Sequence, residues 1–368
     1  MSICYPDYSR SLLSVIASIS ANFGVKTSHA SLPMLDAELA RGYKNVVLML
    51  FDGLGTEILG RYLPPSSLLR RHVAAEISSV FPPTTTAATI TVESGLAPIE
   101  HGWLGWSLYF EEIGANVSIF PNTLSGSGGV PAADYHVARW YLPYERLADK
   151  IKSAGKANAK IISPFAEPAT VSVREICQSI EQFCAEAGKK FVYAYWPQPD
   201  EDMHILGTSH GAVKRHIKEI EKELDRLCGK LSDTLLIVTA DHGIIDVTWR
   251  FLPEYPGVTR CLARTPWMEP RAMAFAVLPG HEREFVREFN SAFGDCFVLF
   301  SREEALQAGL FGPGTPHPRA NELLGDFTAA ATGSVAIEVR ERTEDVLRAA
   351  HAGLTDAEMR VPLILIKT

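Results

Sequence analysis

The chain has 368 residues, with 35 Lys plus Arg against 43 Asp plus Glu, a formal charge of −8, and it is 46% hydrophobic and 21% charged. That composition excludes a disordered, collagen-like or low-complexity chain, and an acidic balance without a Lys/Arg cluster excludes a bulk binder of nucleic-acid polymers. The longest apolar runs, Asn45–Phe51 and 361–366, are strand-sized, far short of the roughly 20 residues a membrane-spanning helix needs, so no membrane span is expected.

Residues 11–20 form an apolar stretch preceded only by Arg10 and followed by no clear cleavage site, which reads as an amphipathic first helix rather than a signal peptide. Four apolar runs follow at Asn45–Phe51, 160–162, 191–195 and Thr234–Thr239. Runs of this kind are strands of a parallel sheet covered on both faces. Helices are expected between them. One covers 172–189, opened by a capping box of Ser172 and Glu175, and another covers 211–231, where Ile217, Ile220, Leu224, Leu227 and Leu231 make one apolar face. The pattern predicts an α/β three-layer sandwich with a mostly parallel central sheet.

After about Val247 the rhythm changes to turn-rich PEYPG and RTPWMEPR, then a strand at 272–278, a helix at 282–293 and a strand at 296–300. Residues 250–324 are therefore expected to be a small inserted α+β cap, with 1–249 and 325–368 forming the core. The segments 333–339 and 361–366 are expected to return to the main sheet. Cys4, Cys177, Cys184, Cys228, Cys261 and Cys296 are scattered, with no disulfide framework or metal knuckle, which fits reduced thiols in a cytoplasm.

Ligands of open α/β sheets bind beyond the carboxyl ends of the strands. Those ends carry acids: Asp52-Gly53 after the first strand, Asp200 after 191–195, and Asp241-His242-Gly243 after Thr234–Thr239. Three carboxylates in one crevice repel one another unless cations neutralise them. Histidines stand beside them, in Asp200-x-x-x-His204 and Asp241-His242. Imidazole with carboxylate suits Zn²⁺, with Mn²⁺ as the competitor. Each motif alone reads equally well as a turn or a helix start; their common location is what carries weight. Between the first two strands, Pro82-Pro83-Thr84-Thr85-Thr86 looks like a helix N-terminus, where free N–H groups favour an anion and a metal-activated threonine would be a nucleophile.

The ordered set NVVLMLFDGLG, VFPPTTTAATITVESGLAPIEHG, YWPQPDEDMHILG, VTADHG and HAGLTDAEMRVPLIL resembles the alkaline phosphatase superfamily, and within it the type I phosphodiesterase/nucleotide pyrophosphatase branch. The resemblance covers about 45–247 and 324–366. It implies an alkaline phosphatase-like core and two divalent metal ions, most simply zinc. One would be held by Asp52, Thr85, Asp241 and His242, the other by Asp200, His204 and His351. Thr85 takes the family's nucleophile position when counted back from Gly95-Leu96-x-Pro98-x-x-His101-Gly102, with Thr84 as the fallback. His351 is preferred to His317 because Glu358-Met359-Arg360-Val361-Pro362-Leu363 follows it as in the family, although Ala352 stands where Gly is common.

One departure concerns the Phe-Pro-Asn-His that follows the nucleophile in many nucleotide-cleaving members. Here those places are Thr86, Ala87, Ala88 and Thr89, so the Asn that would donate to a phosphate oxygen is replaced, with the Thr86 N–H or Asn122 as candidate substitutes. The activity implied is a two-metal phosphoric ester hydrolase acting through a phosphothreonine, on a small phosphate ester such as a nucleotide. The alternatives are a phosphonate hydrolase, phosphomonoesterase or phosphomutase-like enzyme of the same superfamily, and a catalytically silent phosphate-ligand binder. Trp103, Trp106, Tyr109, Tyr195 and Trp196 lie near the site in sequence and read as core aromatics.

Overall fold

Strands this apolar need cover on both faces, and the computed structural model, which describes residues 2–368, supplies it. The central sheet contains β1 (Asn45–Phe51), β2 (Val73–Ser78), β3 (Asn158–Ile162), β4 (Lys190–Trp196), β5 (Thr234–Thr239) and β6 (Arg360–Lys367), in the order β2-β6-β5-β1-β4-β3. Strands β3, β4, β1 and β5 run parallel, with Asn45 opposite both Lys190 and Thr234. β6 runs antiparallel to β5 and to β2. Every residue of β1 and β5 is buried. One helical layer holds Leu12–Asn22, Pro33–Leu39, Thr85–Ser94 and Leu147–Ser153; Val173–Ala185, Gly211–Cys228, Thr56–Tyr62 and Asp200–Leu206 form another. Each fully buried Leu, Ile or Val here contributes about 1.5–3 kcal/mol over its exposed state.

Local signals hold closely in this layer. Ser172 Oγ accepts the Glu175 N–H at 3.2 Å as a cap should, whereas the Glu175 carboxylate reaches one residue further back, to the Val171 N–H at 3.0 Å. No helix among the described residues is long and apolar enough to cross a membrane.

A second sheet of seven strands is antiparallel throughout. Its order is Phe297–Ser301, Phe327–Ala331, Ala272–Phe275, Trp267–Glu269, Ser107–Phe110, Ala115–Ser118 and Thr123–Leu124. Residues 250–324 thus supply only part of this sheet, which also draws on 107–124 and 327–331. The helix Glu282–Phe293 covers one face of it, with Phe285, Phe289 and Phe293 recurring every four residues against Phe275 and Phe297. The expectation that 333–339 rejoins the central sheet is corrected: Val335–Glu338 pairs in parallel with Thr248–Phe251 in a separate two-stranded ribbon. β5 already carries β1 on one edge and β6 on the other, so no edge beside it is free.

A buried ion pair ties the second sheet to the segment that precedes β6. Arg271 Nε and Nη2 donate to Glu358 Oε1 and Oε2 at 2.6 and 2.7 Å, and both side chains are fully buried. Two more guanidinium protons go to the carbonyls of Gly333 and Val335, and Glu358 also accepts from Gly353 N–H and Thr355 Oγ1. Removing one partner strands a buried charge. Arg271→Met should therefore cost about 3–5 kcal/mol in the denaturant midpoint. Arg342→Met, which breaks an exposed pair with Glu254, should cost less than about 1 kcal/mol.

His101 locks the helix Thr85–Ser94 from below. Its Nδ1 accepts the Trp103 N–H at 3.0 Å, which leaves the proton on Nε2, 3.1 Å from Thr91 Oγ1. Burial pulls its pKa down to about 3. The folded state thus holds the neutral ring, its contribution is complete above the unfolded value near 6.5, and it is lost as pH falls toward 3. At pH 5 the loss should be about 2 kcal/mol, and His101→Gln should flatten that part of a stability-against-pH profile measured by chemical denaturation.

Candidate metal centre

The carboxyl ends of β1, β4 and β5 face one crevice, and each delivers an acid to it. β1 ends in Asp52-Gly53, where Gly53 has φ of +70° and an added Cβ would lie 2.8 Å from Asp200 Cβ. β5 runs into Asp241-His242-Gly243, and a Cβ on Gly243 would strike the Ala357 carbonyl oxygen at 1.9 Å. After β4 the chain turns through Gln198-Pro199 into the helix Asp200–Leu206, which sets Asp200 and His204 one turn apart on the same side. Thr85 is the first residue of the helix Thr85–Ser94. His351 follows the short strand Ala349–Ala350 and precedes the buried turn that leads into β6.

All seven residues named in the sequence meet there. Thr85 Oγ1 lies 3.3 Å from Asp52 Oδ2 and 3.3 Å from His242 Nε2. His242 Nε2 is 3.4 Å from Asp52 Oδ1 and 3.5 Å from Asp241 Oδ2. His204 Nε2 is 3.0 Å from Asp200 Oδ2. The His351 ring stacks on His242 at 3.8 Å and meets His204 edge-on at 5.0 Å. Donor atoms of Asp52, Asp241 and His242 lie within 4.8 Å of one another, as do those of Asp200, His242 and His351.

The backbone fixes the tautomers. Nδ1 of His204, His242 and His351 faces a main-chain carbonyl, of Ala349 at 2.8 Å, Gly243 at 3.2 Å and Pro83 at 3.1 Å. Each Nδ1 is thus the N–H donor in the neutral ring, and each Nε2 presents a lone pair, the arrangement that orients histidine ligands. Three buried carboxylate oxygens, Asp52 Oδ1, Asp200 Oδ1 and Asp241 Oδ2, have no hydrogen-bond partner among the described residues. Orphaned anionic oxygens beside free imidazole lone pairs are the donor set a divalent cation satisfies, so the residues fit a metal pair.

The electrostatics carry the same tension. Burial, then the nearby charges of Asp241 and Asp200, hold the Asp52 carboxyl well above the usual range. Burial also raises Asp241, against the pull of His242. Burial would raise Asp200 too, but the His204 imidazolium outweighs it and brings the group below the ordinary value. His204 in turn is pushed up to about 9, because Asp200 overcomes the opposing effect of burial. Protons hold these acids together where no cation does.

Several positions differ from the sequence reading. Asn122 is spent on its own loop, donating to the Tyr135 carbonyl and accepting from the Val137 N–H, both at 2.8 Å, so it is not a phosphate donor. His317 lies beside Gly102 and accepts the Arg319 N–H through Nδ1, which engages it in its own turn. Thr84 is the N-cap by position, but its hydroxyl makes no cap hydrogen bond and donates instead to Glu269 Oε1 at 2.5 Å. Two residues escape the sequence reading. Tyr195 donates its hydroxyl to Asp52 Oδ2, a role hidden inside a strand buried on both faces. Glu269 is buried in the second sheet, where a lone acid inside the apolar run WME was the available signal.

A sequence profile described as type I phosphodiesterase / nucleotide pyrophosphatase matches residues 46–343. The chain belongs to that family, a branch of the alkaline phosphatase superfamily whose members typically bind two metal ions. No curated protein sequence matches it. Among solved structures it is similar to murine ectonucleotide pyrophosphatase/phosphodiesterase 5, at 17% identity and TM-score 0.66 over 88% of each chain. An inactive variant of that mouse protein, in complex with AMP, gives 17% identity and TM-score 0.65 over 88% of this chain and 87% of that one. Phosphonoacetate hydrolase from Sinorhizobium meliloti, in complex with phosphonoformate, gives 15% identity and TM-score 0.64 over 87% of this chain and 89% of that one. At these identities the likeness establishes the α/β fold with its additional antiparallel sheet.

Gly53→Ala should displace Asp200 and strain a left-handed turn at a cost of about 1–3 kcal/mol. Isothermal titration of the metal-free variant with Zn²⁺ should then show weakened binding relative to the parent.

Proposed function

We propose that this protein is a two-metal phosphodiesterase that cleaves small phosphate esters through a phosphothreonine on Thr85. Asp52, Thr85, Asp241 and His242 would hold one divalent ion, and Asp200, His204 and His351 the other. The ions, zinc in our reading with manganese as the competitor, would supply Lewis acidity toward the Thr85 hydroxyl and the ester oxygens.

The chain's own residues do the positioning. Asp52 Oδ2 accepts the Thr85 hydroxyl hydrogen at 3.3 Å and is itself anchored by Tyr195, so the Thr85 oxygen is aimed before substrate arrives. The first N–H groups of the helix Thr85–Ser94 have no intrahelical acceptor, which makes the Thr86 N–H a donor to a phosphoryl oxygen. Thr85 Oγ gives up its proton to solvent and attacks phosphorus in line, the bond to the leaving oxygen breaks, the leaving group departs as an alkoxide or phenoxide that solvent protonates, and phosphothreonine forms. Water then attacks from the vacated side and frees Thr85, so two inversions retain configuration at phosphorus.

The observation that carries this reading is Thr85 Oγ1 standing 3.3 Å from both Asp52 and His242 inside a cluster of partnerless carboxylate oxygens. The complex of the mouse protein with AMP supports a nucleotide-sized ester as substrate. Six free thiols fit a reducing, cytoplasmic setting. A phosphonate hydrolase or phosphomonoesterase would use the same centre, and a panel of chromogenic diester, monoester and phosphonate substrates separates them.

Purified protein should contain about two transition-metal ions per chain. Thr85→Ala should lower hydrolysis by about three orders of magnitude or more with metal content largely kept, whereas Thr84→Ala should retain most activity. Survival of activity in Thr85→Ala, or a silent parent protein across the whole panel, overturns the reading.

A further inference from the structure

Glu269 is the last residue of the strand Trp267–Glu269 and is only 7% exposed. Its Oε1 accepts two hydrogen bonds, from Thr84 Oγ1 at 2.5 Å and from the Trp106 N–H at 2.7 Å. Its Oε2 takes no hydrogen bond among the described residues, yet it is not one of the sealed, partnerless oxygens, so it still reaches open space. No Lys, Arg or His pairs with Glu269 within salt-bridge distance among the described residues. A largely buried carboxylate without an ion-pair partner is costly to keep.

Its neighbourhood explains the cost. Its hydrogen bond to Thr84 ties Glu269 to the residue before the proposed nucleophile, and burial raises its carboxyl against the pull of that bond, of the Trp106 N–H and of His204 and His242. A purely structural role needs only an acceptor for one hydroxyl and one N–H, which a neutral amide oxygen supplies equally well. The negative charge is surplus to that role. Moreover, among the described residues no Lys or Arg side chain forms a hydrogen bond or ion pair with the side chain of Thr85 or with those of the six acids and histidines around it. The centre's own residues thus hold no cationic side chain to welcome a second negative charge on phosphorus, while Glu269 is hydrogen-bonded to the residue that precedes the proposed nucleophile.

We propose that Glu269 is a specificity-determining residue whose carboxylate, held beside the nucleophile by Thr84, disfavours phosphomonoester dianions and so selects singly charged phosphodiesters. This deepens the function proposed above and rests on it.

The test compares the metal-loaded parent with Glu269→Gln, which keeps both accepted hydrogen bonds through its amide oxygen while removing the charge, and with Glu269→Asp, which keeps the charge. Assays run at pH 8, where the phosphate of a monoester carries both charges because its second pKa is about 6. The kcat/KM ratio of p-nitrophenyl phosphate to bis(p-nitrophenyl) phosphate should rise about tenfold in Glu269→Gln, equivalent to about 1.4 kcal/mol, and stay near the parent's in Glu269→Asp. A second readout uses the metal-loaded Thr85→Ala background. There Glu269→Gln should tighten AMP, measured by calorimetry, by a similar factor relative to bis(p-nitrophenyl) phosphate. An unchanged ratio, or an equal fall for both esters with an unchanged AMP affinity, overturns the proposal. A parent that hydrolyses neither ester defeats the phosphodiesterase reading instead, and the calorimetric comparison still decides whether Glu269 discriminates between charges.

Discussion

Three aspartates cannot share a dry crevice as free anions, and much of the architecture around them answers that constraint. Asp52, Asp200 and Asp241 are each under 7% exposed, and each keeps one oxygen without a hydrogen bond among the described residues. Their other oxygens are shared among Tyr195, Thr85, His204, and the backbone N–H groups of Gly53 and His242. What is left over points inward. The unmet demand is for positive charge with more than one coordination direction, which a proton meets poorly and a metal ion meets well.

The main chain prepares the rest of the donor set. Three carbonyl oxygens hold the Nδ1 sides of three imidazoles and so turn their Nε2 atoms toward the acids, with His204 giving up its Nε2 proton on binding. Glycine matters at two of the junctions for a steric reason. At Gly53 and Gly243 neighbouring segments come closer than a Cβ permits, which lets the ends of β1 and β5 sit against Asp200 and the turn before β6. A parallel sheet brings the strand ends together, and the absence of two side chains lets them touch.

How much of this is legible in the sequence depends on how local each signal is. Asp52, Asp241 and His242 follow apolar runs whose strand identity is plain, so their place at the carboxyl edge follows from the α/β pattern alone. Asp200 and His204 follow from helical spacing, whereas His351, which comes more than a hundred residues later, is reached through family resemblance. The second sheet was not legible as one unit, because Met268 pairs with Ser107 across 161 positions and antiparallel edges leave no local mark of such a partner. Tyr195 and Glu269 were missed for related reasons. Their significance lies in a contact made by another part of the chain, with Asp52 in one case and Thr84 in the other. Thr84 shows the limit of local rules, since a residue in perfect position to cap its helix turns its hydroxyl elsewhere.

The tripeptide Glu269-Pro270-Arg271 closes one strand and opens the approach to the next, and its two charged ends are moored to different places. One grips the start of the nucleophile's helix through Thr84; the other grips Glu358, a few residues beyond His351. The outer sheet is thereby riveted to both halves of the centre at a spacing of two residues. Displacing the tripeptide would detach both moorings at once, so a change in the outer sheet here reaches the centre from two directions.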